Sequence, residues 1–236
     1  MILTILERAR RVFVWVFLAV FLTSIVTYFT FQQWIGFFIH RILQGNHHSQ
    51  FIVTTLFEGF SLRIKLSLML ALAILTPFMV ILGVTSFIKR LTTHVRRLVY
   101  LGVTCSFLLG IGAFYLTYYR LIPLSVKVLT AKAFIPDSVR LMLNFNQTMG
   151  YVVLFLLVSI VVFQFPIVLM VLLHLNVLKR AALVRSWRFV IVAIVIVSAV
   201  VTPTPDVMNQ SAIAVPMIVL YGLTVLVAKL FHLGEG

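Results

Sequence analysis

Long uninterrupted apolar runs follow one another along this chain and are separated by short basic loops. In a bilayer every backbone N–H and C=O group needs an internal partner, so a spanning segment is a helix or part of a closed barrel. The runs are continuous rather than alternating, which indicates helices. Hydrophobic residues make up 62% of the chain and charged residues 10%, and an ordinary soluble domain has about a quarter of its residues charged. The sequence therefore predicts an all-α membrane protein.

The 236 residues suit one polytopic membrane domain, residues 1–236, with six transmembrane helices of which the last two are short. The predicted helices cover about 12–31, 61–88, 98–119, 148–175, 188–202 and 209–229. The second helix is expected to break near Thr76–Pro77, because proline removes a backbone donor. An amphipathic interfacial piece, WIGFFIHRIL, follows the first helix, and a polar segment separates the third helix from the fourth.

The last two apolar runs form a hairpin around a rigid turn. Pro203 and Pro205 cannot continue a helix, and Asp206 is suited to cap the helix that follows. The run Phe189–Val201 has 13 residues, about 20 Å of helix, and a typical hydrocarbon core is about 30 Å thick. We therefore expect at least one arm to be too short for a bilayer of full thickness.

The net charge of +14 lies in the loops between the apolar runs, so a membrane topology explains it better than nucleic-acid binding. Twelve of the 19 lysines and arginines fall on the side of the amino terminus if the six helices alternate in direction. Positive residues accumulate on the cytoplasmic side of membrane proteins. Both termini are therefore expected on the cytoplasmic or matrix side, and the first apolar run is interpreted as a retained helix rather than a signal peptide.

Catalytic and metal-binding patterns are missing from the sequence. The five acidic residues are scattered over separate segments, and there is no P-loop, HExxH or GxSxG motif. His47 and His48 have no acidic residue or cysteine nearby at a ligand spacing. Cys105 is the single cysteine, so an internal disulfide is excluded. We expect no enzyme activity, no cofactor and no metal site.

The final hairpin, TPTPDVMNQSAIAVPMIVLYG, resembles the signature of the C subunit of the twin-arginine protein translocase, the TatC family. The matching residues are Thr202, Pro205, Asp206, Gln210, Pro216 and Tyr221. ILERARR resembles the amino-terminal motif of the family and aligns Glu7 and Arg11. TTLFEGFSLRIKLSL and FQFP resemble its segments before the second helix and within the fourth, so the resemblance spans nearly the whole chain.

The resemblance implies a cupped bundle of six helices with short final helices and both ends cytoplasmic. It also implies a core and receptor subunit that binds twin-arginine signal peptides and recruits single-helix TatA- or TatB-type subunits. Folded proteins would then cross the membrane, which is a bacterial plasma membrane or a mitochondrial inner membrane. The lipid bilayer is a further partner, and self-association is left open.

Four positions depart from the family pattern. The family usually has glutamates where Val95, Gln164 and Gly222 stand here, and a proline where Lys89 stands. Three acidic positions have thus become neutral. This change favours an alternative reading, a divergent member that acts as a membrane scaffold without signal recognition.

Glu7, Arg11, Arg96 and Arg97 are the candidate signal-peptide residues that the resemblance implies. A carboxylate such as Glu7 can accept paired N–H bonds from a guanidinium group. The structural alternative is that Glu7 neutralises a neighbouring arginine, and that Arg96 and Arg97 serve as a topology signal.

A second set of candidates concerns partner docking and helix shape. Gln164 is polar within an apolar helix and is interpreted either as a hydrogen bond between helices or as a docking site for a partner helix. The candidate docking residues are Gln164, Pro166, Asp206, Gln210 and Tyr221. The prolines expected to kink helices are Pro77, Pro166 and Pro216. A small-solute secondary transporter is the remaining rival, although intramembrane charges and paired repeats are not evident.

Overall fold

The computed structural model describes residues 2–43, 50–55, 57–87, 93–129, 142–174, 177–201 and 207–230. In these ranges the elements, in chain order, are α1 (Ile2–Phe29), α2 (Phe31–Leu43), β1 (Gln50–Ile52), α3 (Glu58–Phe87), α4 (Thr93–Leu116), a π-helical turn (Thr117–Leu121), α5 (Ile122–Leu129), β2 (Met142–Asn144), α6 (Phe145–Phe163), α7 (Phe165–His174), α8 (Arg180–Arg185), α9 (Trp187–Val201) and α10 (Val207–Leu230).

Five stretches of the described chain are helical, long and apolar enough to cross a membrane. They are Val12–Phe29, Glu58–Leu82, Thr104–Lys127, Phe145–Leu173 and Ile213–Leu230. The shorter apolar helix Trp187–Val200 brings the number of membrane helices to six within the described ranges. The all-α membrane fold is therefore confirmed.

Several helix boundaries differ from those expected. The membrane span of α1 begins at Val12 as expected, but the helix itself begins at Ile2, because the basic amino-terminal residues continue it beyond its apolar part. The third membrane helix does not end near residue 119 but continues through a π-helical turn and Pro123 to Leu129. The membrane helix thus extends into the polar segment that was expected to separate it from the fourth helix.

The expected break at Thr76–Pro77 is wrong, because α3 runs through Pro77 as one helix. The Thr76 hydroxyl donates to the carbonyl of Leu72 at 2.8 Å. A full break would leave further backbone groups unpaired in apolar surroundings, whereas an uninterrupted helix loses only the bond that the proline cannot donate.

The fourth membrane helix is interrupted where one continuous helix was expected. α6 ends at Phe163 and α7 begins at Phe165, with Gln164 as the junction. The Gln164 N–H bonds the carbonyl of Val161 at 3.1 Å, and its own carbonyl accepts from Ile167 at 3.1 Å. Pro166 follows the junction and has no N–H donor, so these tighter bonds connect the end of α6 to the start of α7.

A small parallel pair of strands, β1 and β2, was not predicted from the sequence; it pairs Gln50 with Met142 and Ile52 with Asn144. Asn144 also caps α6 by accepting from the Gln147 N–H at 3.0 Å. The carboxylate of Glu58 accepts from the Thr54 N–H at 2.6 Å at the start of α3. The pair therefore fixes the entries into α3 and α6 at the same end of the bundle.

The buried core lies around α6, the central helix of the bundle. α3 packs against α1, α4 and α6, and α4 also packs against α6. Leu62 and Leu66 of α3 and Val152 and Leu156 of α6 are fully buried. α10 packs against α9, α7 and α8 at one side of this core.

The final hairpin consists of α9 and α10. α9 has 15 residues, about 22 Å, and falls short of a hydrocarbon core of about 30 Å. α10 has 24 residues, of which the apolar span Ile213–Leu230 covers 18. The turn that joins them, with Pro203, Pro205 and Asp206, lies outside the described residues.

Candidate functional site

Gln164 lies in the interior of the bundle with 1% of its surface exposed. Its Oε1 accepts from the Ser106 hydroxyl at 2.7 Å, and its Nε2 donates to the Ser106 carbonyl at 3.2 Å. The same hydroxyl lies 3.3 Å from the Pro77 carbonyl. These contacts join α3, α4 and the α6–α7 junction. Both ends of the amide are thus used within the chain.

Gly110 completes this arrangement, which we call the interior cluster: Pro77, Ser106, Gly110 and Gln164. A Cβ placed at Gly110 would lie 3.2 Å from Cγ of Pro77 and 3.6 Å from Nε2 of Gln164. The absence of a side chain therefore lets α4 approach the proline ring of α3 closely. Pro166, two residues after Gln164, is half-buried.

At the hairpin, Gln210 of α10 donates from Nε2 to the carbonyl of Val195 in α9 at 3.1 Å. Ser198 donates to the same carbonyl at 2.8 Å. Pro216 lies inside α10, which continues through it. The candidate docking residue Gln210 therefore ties the two arms together, and Asp206 falls outside the described residues.

Tyr221 is buried, and its hydroxyl donates to the carbonyl of Leu183 at 2.9 Å. Leu183 belongs to α8, the short helix between α7 and α9. The bond ties the last membrane helix to the connection that precedes the hairpin. Gly222 beside it is exposed, and a Cβ there would meet no atom within 4 Å.

The candidate signal-peptide residues lie in helical backbone at one end of the bundle. Glu7 and Arg11 belong to the first turns of α1, and Arg96 and Arg97 to the first turns of α4, as does Val95. Their side chains lie outside the described part of the structure, as does Lys89.

The helix directions place both groups at the same end. The Thr27 hydroxyl, near the end of α1, donates to the Ser67 carbonyl near the start of α3 at 2.9 Å, so these helices are antiparallel. The five residues 88–92 join the end of α3 to the start of α4. The starts of α1 and α4 therefore both lie near the end of α3.

Two arginines at the opposite end of the bundle, Arg63 and Arg41, make contacts that were not predicted from the sequence. Arg63 donates to the Tyr28 carbonyl at 2.8 and 3.1 Å and stacks 4.2 Å from the centre of that ring. Arg41 donates to the Tyr119 carbonyl at 2.9 Å and lies 5.1 Å from that ring. The signal that could have found them is an arginine on a helix entering the aromatic belt of the membrane interface.

His47 and His48 lie outside the described residues, and the described part of the chain holds no group of three or more His, Cys, Asp or Glu side chains placed to bind a metal ion.

Residues 4–216 match the family model described as Sec-independent protein translocase protein (TatC). The chain belongs to this family. The TatC protein of Koribacter versatilis is 30% identical over 96% of this chain and 84% of its own length. The TatC protein of Deinococcus radiodurans is 36% identical over 99 residues, which span 42% of this chain and 37% of that protein.

The fold also matches that of a crystal structure described as the twin arginine translocase receptor TatC in DDM. The TM-score is 0.84 at 22% identity, and the match covers 94% of this chain and 98% of the other. This TatC chain is therefore a multi-pass membrane protein and a protein translocase component rather than an enzyme.

Proposed function

We propose that this TatC chain is the receptor and core subunit of a twin-arginine translocation pathway, and that it binds the signal peptides of folded proteins. The observation that carries this proposal is the match to the TatC family over residues 4–216. Signal recognition takes place where α1 and α4 begin. Glu7 receives the paired guanidinium groups, and Arg11, Arg96 and Arg97 contact polar groups of the peptide.

Single-helix TatA- or TatB-type partners dock on the terminal hairpin. α9 supports this assignment because Val192, Ile196 and Val200 are exposed along it. Gln164 and Tyr221 are buried and form hydrogen bonds to other helices. They therefore stabilise the helix bundle on which the partners dock. Gln210 marks the end of the hairpin that a partner reaches, and Asp206 and Pro166 are further candidates for docking.

The chain lies in a bacterial plasma membrane or a mitochondrial inner membrane with both termini on the cytoplasmic or matrix side. The excess of lysine and arginine on the side of the amino terminus supports this orientation. The signal-peptide residues then face the compartment in which folded cargo is made.

Photo-crosslinking of a twin-arginine peptide to the full chain in membrane vesicles tests signal recognition. A photoreactive residue at Ala9, between Glu7 and Arg11, is expected to crosslink the peptide. The matched control places the same residue at Thr55, at the opposite end of the bundle. A peptide with two lysines in place of the arginines should reduce the crosslink about tenfold, because an ammonium group cannot make the paired bonds. Glu7→Gln should reduce it by a similar factor, because a neutral amide has no charge to attract the guanidinium groups.

The second candidate function is a membrane scaffold of the same family without signal recognition. The observation that favours it is the neutral character of Val95, Gln164 and Gly222, where the family pattern has acids. A stably folded protein that co-purifies with single-helix partners but gives no crosslink at Ala9 would support the scaffold over the receptor.

A further inference from the structure

A groove of about 180 Å³ opens on the outer surface of the bundle between α1 and α3. Its walls are apolar and include Phe21, Ile25 and Tyr28 of α1 and Ile64 of α3. Ser24 and Ser67 also line it. The groove exists because these two serines are small and the side chains around them are large.

The groove lies within the membrane, in the leaflet opposite the amino terminus. Its α1 residues belong to the last turns of the span Val12–Phe29, and its α3 residues to the first turns of Glu58–Leu82. From Phe21 to the end of the α1 span the helix rises about 12 Å. An occupant therefore enters at the membrane interface and reaches toward the middle of the bilayer.

A cation lies next to this groove, in contact with its wall residue Tyr28. Arg63 directly precedes Ile64 in α3 and holds Tyr28, a wall residue, through the two bonds from Nε and an Nη to its carbonyl. A guanidinium has five N–H donors, so these two bonds leave three. Within the described ranges no carboxylate forms an ion pair with Arg63, and its other side-chain contacts are with the rings of Tyr28 and Phe31.

We propose that this groove binds an anionic phospholipid, with its phosphate on Arg63 and one acyl chain between α1 and α3. Guanidinium groups bind phosphate through paired charge-assisted bonds, and the aromatic ring below fixes the plane of the fork. Ser67 lies four residues after Arg63, about 6 Å deeper along the helix. Its buried hydroxyl has no hydrogen-bond partner among the described residues, and the ester oxygens of the lipid lie on this side of the phosphate.

The size of the groove favours a lipid chain over other occupants. Pockets that enclose small molecules have roughly 300–1,000 Å³. The groove is smaller and open to the bilayer on one side, so it takes a length of chain rather than a compact ligand. A partner helix would need a longer surface, and it would leave the charge of Arg63 uncompensated unless it carried an acid at that depth.

The test uses the delipidated full chain in mild detergent and measures binding of phosphatidylglycerol and phosphatidylcholine by native mass spectrometry. We expect phosphatidylglycerol to bind more tightly than phosphatidylcholine. Arg63→Gln should weaken it about fivefold and leave phosphatidylcholine unchanged, because one interfacial cation is removed. The matched control is Arg41→Gln, which removes an arginine with the same kind of tyrosine contacts away from the groove and should change neither lipid.

A second pair of variants tests the groove without altering the charge. Ser24→Leu fills it and should weaken both lipids, whereas Gly112→Leu on α4 adds the same bulk where a Cβ meets no atom within 4 Å and should change neither. Glycerol 3-phosphate, which carries a phosphate on glycerol but no acyl chains, should not compete.

Three results would overturn the lipid site: an equal loss of phosphatidylglycerol in Arg41→Gln, unchanged lipid binding in Ser24→Leu, or full competition by glycerol 3-phosphate. Loss of a co-purifying single-helix protein in Ser24→Leu, with lipid binding intact, would assign the groove to a partner helix instead.

Discussion

The interior cluster and the terminal hairpin use polar side chains in opposite ways. In the cluster, Gln164 and Ser106 meet at the centre of the bundle, out of contact with lipid and water. In the hairpin, the bond from Gln210 to the Val195 carbonyl lies at an exposed edge. The apolar side chains of α9 mostly face outward, with Ile194 as a buried exception among them.

This difference distinguishes a fixed frame, formed by α3, α4 and α6, from the terminal hairpin that packs beside it. Lipid is as apolar as leucine, so helices in a membrane associate through close packing and hydrogen bonds rather than through the hydrophobic effect. α3, α4 and α6 are held together by close packing and by hydrogen bonds, whereas α9 packs mainly on α10 and also touches α8. We therefore expect α9, rather than α10, to be the part of the molecule whose position responds most to the bilayer.

The largest effect is expected from Gly110→Leu in the interior cluster. Its Cβ would already lie 3.2 Å from the Pro77 ring, which cannot yield, so the leucine must push α4 away from α3. We expect a loss of about 3 kcal/mol in the free energy of unfolding, measured by denaturant titration in detergent. Gly112→Leu, two residues further along α4, is the control and should stay within about 0.5 kcal/mol. Equal losses would show that α4 is not closely packed at Gly110.

Gln164→Leu is expected to have the next largest effect. It removes both bonds to Ser106 and lowers the free energy of unfolding by about 1 kcal/mol. Co-purification of single-helix partners should persist, because the amide is engaged inside the chain. Unchanged stability together with lost co-purification would move Gln164 from the frame to a docking site and break the comparison.

The sequence was sufficient to predict the membrane helices, because a long apolar run is stable only in the bilayer and must be helical there. It could not predict the full length of α1, since the basic residues at its start look like a loop although they continue the helix. β1 and β2 have three residues each, too few for an alternating pattern to be recognised.

The interior cluster shows a second limit of prediction from the sequence, which concerns contacts between helices. Pro77 and Gln164 stand out in the sequence as polar or irregular positions within apolar runs. Ser106 and Gly110 do not, and Ser106 lies 58 residues before Gln164. A single sequence does not state which helices touch, so the partner of a buried amide emerges only when the bundle is assembled.

Tyr221→Phe tests the connection between the frame and the hairpin. It removes the buried hydroxyl that bonds the Leu183 carbonyl and should lower the free energy of unfolding by about 1 kcal/mol. Hydrogen exchange should increase in α8 while α3 and α6 stay protected. Tyr115→Phe is the control, since that tyrosine is exposed, and it should change neither quantity. Unchanged exchange in α8 would mean that α8 is held by its other contacts with α10.

The smallest effect on stability is expected from Gln210→Ala. The bond to the Val195 carbonyl is exposed, and Ser198 donates to the same oxygen, so the free energy of unfolding should change by less than about 0.5 kcal/mol. The distribution of distances between the two arms should nevertheless broaden. Spin labels at Val200 and Val215, in a Cys105→Ser background, would report this as a wider distance distribution.

The same labels in the Gln164→Leu variant serve as the control and should keep the narrow distribution of the parent chain, because that change lies in the frame. If Gln210→Ala costs as much free energy as Gln164→Leu, the arms are held by the same kind of bond as the interior. The hairpin would then belong to the frame, and its short first helix would be fixed in place rather than free to follow the bilayer.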